Sequence, residues 1–243
     1  MHTSLHASAL LARTLTVAAV LGGAALLPAS AQTHVYTLNN TFADTNGGPS
    51  LVSNGGTLSA SGYTFGKNLG LSLANVTNGT DYSITTTFSF SDLTSGNTYK
   101  KILDFQNLAS DDGLYIYQST LDFYPVAGAS GTTTFAADQS QTVNLTRNGV
   151  TQVVTGSVNG VQQFSFIDSS GIAVFNTSGG LINFFEDDNA TSGREASGGT
   201  VTSIIVSDSA PVPETSTIVS FGLLLAFGFG GALVAARKRK AVA

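Results

Sequence analysis

From Gln32 to Ser209, apolar and polar residues alternate in short runs, and the spacing of an amphipathic helix is nearly absent. In Tyr82-Ser83-Ile84-Thr85-Thr86-Thr87-Phe88-Ser89-Phe90, the larger residues Tyr82, Ile84, Phe88 and Phe90 share one face while Ser and Thr fill the other. This pattern predicts a half-buried strand with β-branched threonine on its wet side. Similar runs cover His34 to Leu38, Tyr63 to Phe65, Leu69 to Leu73, Lys101 to Phe105, Leu114 to Tyr117 and Leu121 to Tyr124. Others cover Thr142 to Arg147, Val153 to Val158, Val161 to Ile167, Leu181 to Phe185 and Thr200 to Val206. Asn159-Gly160 between two such runs predicts a tight hairpin, because both central positions of a type I′ turn need a positive φ. Asn148-Gly149 marks a second turn. Many short strands separated by Gly, Ser, Asn and Asp point to an all-β, antiparallel two-sheet sandwich of the jelly-roll kind. A β-solenoid is disfavoured, since no fixed-period repeat is present.

The two ends follow other patterns. Arg13 precedes an apolar run from Leu15 to Leu27, then Pro28 and Ala29-Ser30-Ala31. A positive start, a short apolar core and an A-x-A site predict a secretory signal over residues 1–31, cleaved after Ala31. At the other end, Thr217 to Ala236 is 20 residues without a charge, followed by Arg237, Lys238, Arg239 and Lys240. That length suits a crossing of a ~30 Å hydrocarbon core, and the basic cluster would stay cytoplasmic as a stop-transfer signal. Residues 32–209 are thus read as the exported domain and 210–243 as a tail, with Pro211 and Pro213 closing the last strand.

Charge narrows the choice of partner. Between Asp44 and Asp208 there are 14 Asp or Glu against 5 Lys or Arg, a net of −9. Nucleic acid and anionic lipid surfaces are disfavoured, because phosphate contacts need a basic patch. There is no cysteine, so the exported domain must depend on its apolar core.

Val212-Pro213-Glu214-Thr215, a hydrophobic span and Arg237-Lys238-Arg239-Lys240 together resemble the PEP-CTERM sorting signal of Gram-negative, exopolysaccharide-producing bacteria. Thr215 stands where the family's motif has a second proline. The resemblance implies an exosortase-type processing enzyme as partner. It also implies an inner-membrane anchor that is temporary, followed by the cell surface or the extracellular space. Gly62-Tyr63-Thr64-Phe65-Gly66, Lys101-Ile102-Leu103-Asp104-Phe105, Val158-Asn159-Gly160-Val161-Gln162 and Phe184-Phe185-Glu186-Asp187-Asp188 resemble a laminin-G-like, concanavalin A-like lectin domain. Such a resemblance speaks for fold more than for activity.

Candidate chemistry is sparse. His34 is the one histidine beyond the signal, and is read as a solvent-exposed strand residue. Ser–His and Cys–His nucleophile pairs and His-based zinc sites are therefore disfavoured. Glycoside hydrolysis needs two carboxyls across a cleft. The E-x-D-x-x-E strand motif of concanavalin-fold glucanases is absent, Glu186 and Glu195 are the only glutamates of the domain, and tryptophan is lacking. The protein is accordingly expected not to be an enzyme. Glu186-Asp187-Asp188-Asn189 gathers hard oxygen donors at a strand end, which makes Asp187, Asp188 and Asn189 candidates for calcium, though no cofactor is required. The same residues are equally turn formers that accept backbone N–H bonds. Tyr63, Tyr99, Tyr115, Tyr117 and Tyr124 are candidate sugar-stacking rings, or strand residues packed by the ring with the hydroxyl wet. The expected function is an exported, lectin-like surface or matrix protein that binds polysaccharide, with a purely structural surface protein as the alternative and a glycan hydrolase behind both.

Overall fold

The computed structural model describes residues 32–95, 98–175 and 180–208. The signal-peptide, sorting-motif, membrane-span and basic-tail expectations fall outside the described residues. Among the described residues, no helix is long and apolar enough to cross a membrane.

Among the described residues, fifteen strands form two sheets, and every strand pair is antiparallel. The eight-stranded sheet runs β13 (Val161–Ile167), β12 (Val153–Val158), β11 (Gln141–Arg147), β6 (Tyr82–Phe90), β15 (Gly199–Ser207), β4 (Gly62–Phe65) and β3 (Thr57–Ser59). Its remaining strand, β1 (Thr33–Tyr36), pairs with the far half of β15. The seven-stranded sheet runs β10 (Ser130–Thr134), β9 (Thr120–Tyr124), β8 (Gly113–Tyr117), β7 (Tyr99–Asp104), β14 (Ile182–Phe184), β5 (Leu71–Leu73) and β2 (Val52–Ser53). The all-β, two-sheet reading of the sequence therefore holds.

The alternation in β6 is what sets this arrangement. Tyr82, Ile84, Phe88 and Phe90 are all buried, as the period of two requires, and Thr86 joins them on that face. Aromatic rings then tie one sheet to the other. Phe185, just past β14, stacks on Phe65 of β4 at 4.8 Å and meets Phe88 of β6 at 5.0 Å. At the other end, Phe123 of β9 lies 5.1 Å from Phe166 of β13. The predicted hairpin is present, with Asn159 and Gly160 at φ 50° and 80° between paired Val158 and Val161. Asn148 opens a longer turn instead, its side-chain oxygen accepting from the N–H groups of Val150 and Thr151.

The exposed position expected for His34 is corrected. Its side chain is buried, with Nδ1 2.7 Å from Asp44 Oδ2. Burial works against ionisation of Asp44, yet hydrogen bonds from the backbone of Asn46, Val35 and Gly48 and from His34 together hold its carboxyl down at about 2. The alternation that placed Val35 and His34 on opposite faces could not say which face another loop would cover.

Candidate functional site

The outer face of the seven-stranded sheet is unusually aromatic. Leu114, Ile116, Leu121 and Phe123 of β8 and β9 point into the core, which turns Tyr115, Tyr117, Asp122 and Tyr124 to the other side. Across the β7–β8 pair, Tyr99 sits opposite Tyr117 and Lys101 opposite Tyr115. The Tyr99 ring stacks on Tyr117 at 4.1 Å and 15°, and meets Tyr115 and Tyr124 edge-on at 5.4 and 5.7 Å. Four of the five candidate tyrosines thus form one platform. Tyr63 does not belong to it: its ring is in the core and its hydroxyl donates to the Leu69 carbonyl.

A register slip in β7 brings in a charge. Residues three apart in a regular strand face opposite sides, but the slip between Lys101 and Leu103 puts Lys101 and Asp104 on the same one. Lys101 Nζ lies 3.3 Å from Asp104 Oδ2 and also donates to Asp188, with all three side chains fully buried. The same ammonium sits 5.0 Å above the Tyr115 ring.

Two loops complete the site. Asp111, just before β8, accepts the Tyr115 hydroxyl on Oδ1 at 3.0 Å. The segment between β14 and β15 contributes Asp187, Asp188 and Glu195. Glu195 is fixed through its backbone, its N–H donating to Asp187 Oδ2 at 2.8 Å and its carbonyl accepting from Lys101 N–H at 2.8 Å. The side chains of Glu195 and Asp111 then hydrogen-bond to each other. Together with Tyr99 and Tyr124 they line a pocket of about 170 Å³.

Electrostatics follow from that enclosure. Burial, then the negative charges of Asp111 and Asp187, push the Glu195 carboxyl up to about 7. Burial also raises Asp111, with Asp188 adding to the effect and the Tyr115 hydroxyl opposing it. A hydrogen bond between two carboxyls needs a proton on one of them, and burial favours that protonated form on both sides of this pair. Burial pushes the Tyr99 hydroxyl to about 12, with Asp122 next in effect. A larger pocket of about 250 Å³, lined by His34, Asn75, Asn78 and Asp208 among others, offers no aromatic wall.

The calcium candidates do not assemble into a cation site. Asp188 gives one oxygen to Lys101 and the other to the Thr191 N–H. Asn189 is exposed and its amide donates to the Leu108 carbonyl. Asp187 takes the Thr191 hydroxyl and the Glu195 N–H on Oδ2. A lysine ammonium thus stands where a metal would balance these charges, and the donor set does not fit calcium. Among the described residues, no group of three or more His, Cys, Asp or Glu is placed to hold a metal.

Fold and pocket define an antiparallel β-sandwich with a tyrosine-and-carboxyl pocket on one outer face. No family model and no curated protein matches the chain. Solved structures do share its fold. A Trypanosoma rangeli sialidase in complex with 2,3-difluorosialic acid aligns at a TM-score of 0.54 and 14% identity, covering 74% of this chain and 31% of that one. Domain 4 of AbnA, a GH43 extracellular arabinanase from Geobacillus stearothermophilus in complex with arabinotriose, aligns at 0.54 and 14%, covering 75% and 95%. The chain spans about a third of the sialidase it matches.

The expectation that the protein is not an enzyme is corrected here. It rested on the lack of a recognisable carboxyl pair, and Asp111 and Glu195 form one. The fold, moreover, is shared with parts of a sialidase and of an arabinanase. Glu195 and Asp111 are both visible in the sequence as acidic residues, but their pairing is not, because they come from loops distant along the chain. The available signal lay in Tyr115 and Tyr117, which alternate with the apolar Leu114 and Ile116 and so make both faces of β8 apolar.

Proposed function

We propose that the domain binds polysaccharide in the pocket lined by Tyr99, Tyr124, Asp111 and Glu195. The observation that carries this reading is the corner made by two tyrosine rings beside a hydrogen-bonded carboxyl pair. Sugar rings have an apolar face that stacks on aromatic side chains and hydroxyls that both donate and accept. A carboxylate beside a protonated carboxyl offers an acceptor and a donor at once. The related fold of an arabinanase domain in complex with arabinotriose supports the reading.

The remaining parts of the proposal come from the sequence. The 1–31 signal exports the chain, and the Val212-Pro213-Glu214-Thr215 tail, with its apolar span and basic end, retains it at the inner membrane until an exosortase-type enzyme cuts it. The laminin-G-like, lectin-like domain then acts at the cell surface or in the matrix. The test is affinity electrophoresis of the full-length protein in gels containing neutral, basic or acidic polysaccharides. Retardation by at least one of them, relieved by Tyr99→Ala, is the expected result. Equal mobility in all gels contradicts the proposal.

Glycan cleavage is the second reading, favoured by a Glu195 carboxyl that is still protonated near pH 7, as a general acid requires. A retaining route needs carboxyls about 5 Å apart and an inverting one more, so a hydrogen-bonded pair must part before it can act. Reducing-sugar release that disappears in Glu195→Gln would establish it.

A further inference from the structure

We propose that the pocket selects an amino sugar, whose free amine enters between Asp111 and Glu195 while its ring lies against Tyr99 and Tyr124. The proposal deepens the glycan-binding reading and rests on it.

Charge favours a cationic ligand. Among the described residues, the pocket is lined by two carboxyls and two tyrosines and by no cation. The ammonium beneath, on Lys101, is fully buried and engaged by Asp104 and Asp188. A sugar bearing a carboxylate or sulfate would meet the like charge of this carboxyl pair, which disfavours its binding. The domain around the pocket is acidic as well, so its long-range field draws cations and repels anions.

A further carboxyl lies behind the pocket lining. Asp187 is buried, and its Oδ1 has no hydrogen-bond partner. Its Oδ2 holds the Glu195 N–H, and its charge acts on the Glu195 carboxyl. The negative charge of Asp187 beside Glu195 favours a cation at that carboxyl over a second anion.

The neighbouring structure already contains this chemistry. Lys101 places an ammonium 5.0 Å above the Tyr115 ring and against two carboxylates. The pocket offers the same components, tyrosine faces and a carboxyl pair, to an ammonium brought by a ligand. Cation–π attraction to the rings adds to the charge-assisted hydrogen bonds.

Proton balance then distinguishes an amine from a hydroxyl. Before binding, Asp111 and Glu195 hold one proton between them. The groups facing Glu195 are Asp111 from the loop before β8, Asp187 and Asp188 from its own segment, Tyr99, Lys100 and Lys101 of β7, and Tyr115 of β8. An entering R–NH₃⁺ replaces the shared proton as the balancing charge. Both carboxyls become carboxylates as the O–H bond of the protonated one breaks, its electron pair stays on the oxygen and the proton passes to the buffer base. A neutral sugar leaves the shared proton where it is.

The experiment is calorimetry of the full-length protein at pH 6 in two buffers of different ionisation enthalpy. The probes are the tetramers of glucosamine, N-acetylglucosamine and galacturonate, and tetralysine. The expected result is that glucosamine tetramer binds at least about tenfold more tightly than its acetylated counterpart, with release of up to one proton per site. Galacturonate and tetralysine should bind more weakly than either sugar that fits. In Glu195→Gln the ratio between glucosamine and N-acetylglucosamine should fall towards one. Equal affinity for the two hexosamine tetramers in the unsubstituted protein overturns the inference and leaves glycan binding intact. Tightest binding of galacturonate, or tetralysine binding as well as glucosamine, overturns it too. If none of the sugars binds here and no polysaccharide retards the protein in the gels, the glycan reading falls with it.

Discussion

Replacing Glu195 by Gln should remove a pH dependence of stability that the pocket imposes. The carboxyl's ordinary value is 4.5, and in the folded chain it is raised to about 7. Between those values the folded protein holds more protons than the unfolded chain, so its stability falls as pH rises through that window. The full shift corresponds to about 3 kcal/mol at 1.36 kcal/mol per unit. Solvent reaching the pocket screens the charge and Asp111 shares the proton, so about 1–2 kcal/mol should be measurable. Glutamine keeps the shape and a donor towards Asp111 but cannot ionise. The variant should match the parent near pH 4 and exceed it by about 1–2 kcal/mol at pH 8. Urea unfolding at pH 4, 5, 6, 7 and 8 checks this. Identical pH slopes in the two proteins would refute the reasoning, because the raised carboxyl would then contribute nothing to linkage.

Two further substitutions test the scaffold. Lys101→Met leaves Asp104 and Asp188 buried without their common cation and should cost about 3–5 kcal/mol near neutral pH, with a smaller loss at pH 4, as read from urea midpoints. Gly70→Ala should destabilise by about 3 kcal/mol or more, since an added Cβ would overlap the Phe184 carbonyl where the chain passes β14; thermal unfolding would show it as a clear fall in Tm.

How far the sequence revealed this protein depends on the range of the interaction involved. Strands such as β6 and β11 were legible because one buried face imposes a period of two along a single segment. The Asn159-Gly160 turn was legible because its backbone requirement is local. The short strands β2, β3 and β10 were not, since their residues are largely polar and each borrows its ladder from a neighbour. Burial of Lys101 was equally hidden: only the register slip in β7 places it beside Asp104, and only the β14–β15 segment supplies Asp188. Adjacency in sequence says nothing about partners: Asp188 meets the Lys101 ammonium, Asp187 takes the Thr191 hydroxyl and the Glu195 N–H, and Asn189 donates to the Leu108 carbonyl. For the tyrosines, composition could nominate five; strand register decided that four share a face and that Tyr63 is part of the core.

The central claim is that Tyr99, Tyr124, Asp111 and Glu195 form a glycan site. A crystal structure of the protein soaked with the oligosaccharide that binds best tests it most directly. The account predicts a sugar ring against Tyr99 and Tyr124 with a polar group within hydrogen-bond distance of Asp111 and Glu195. A saccharide bound elsewhere, with this pocket left to solvent, would contradict it.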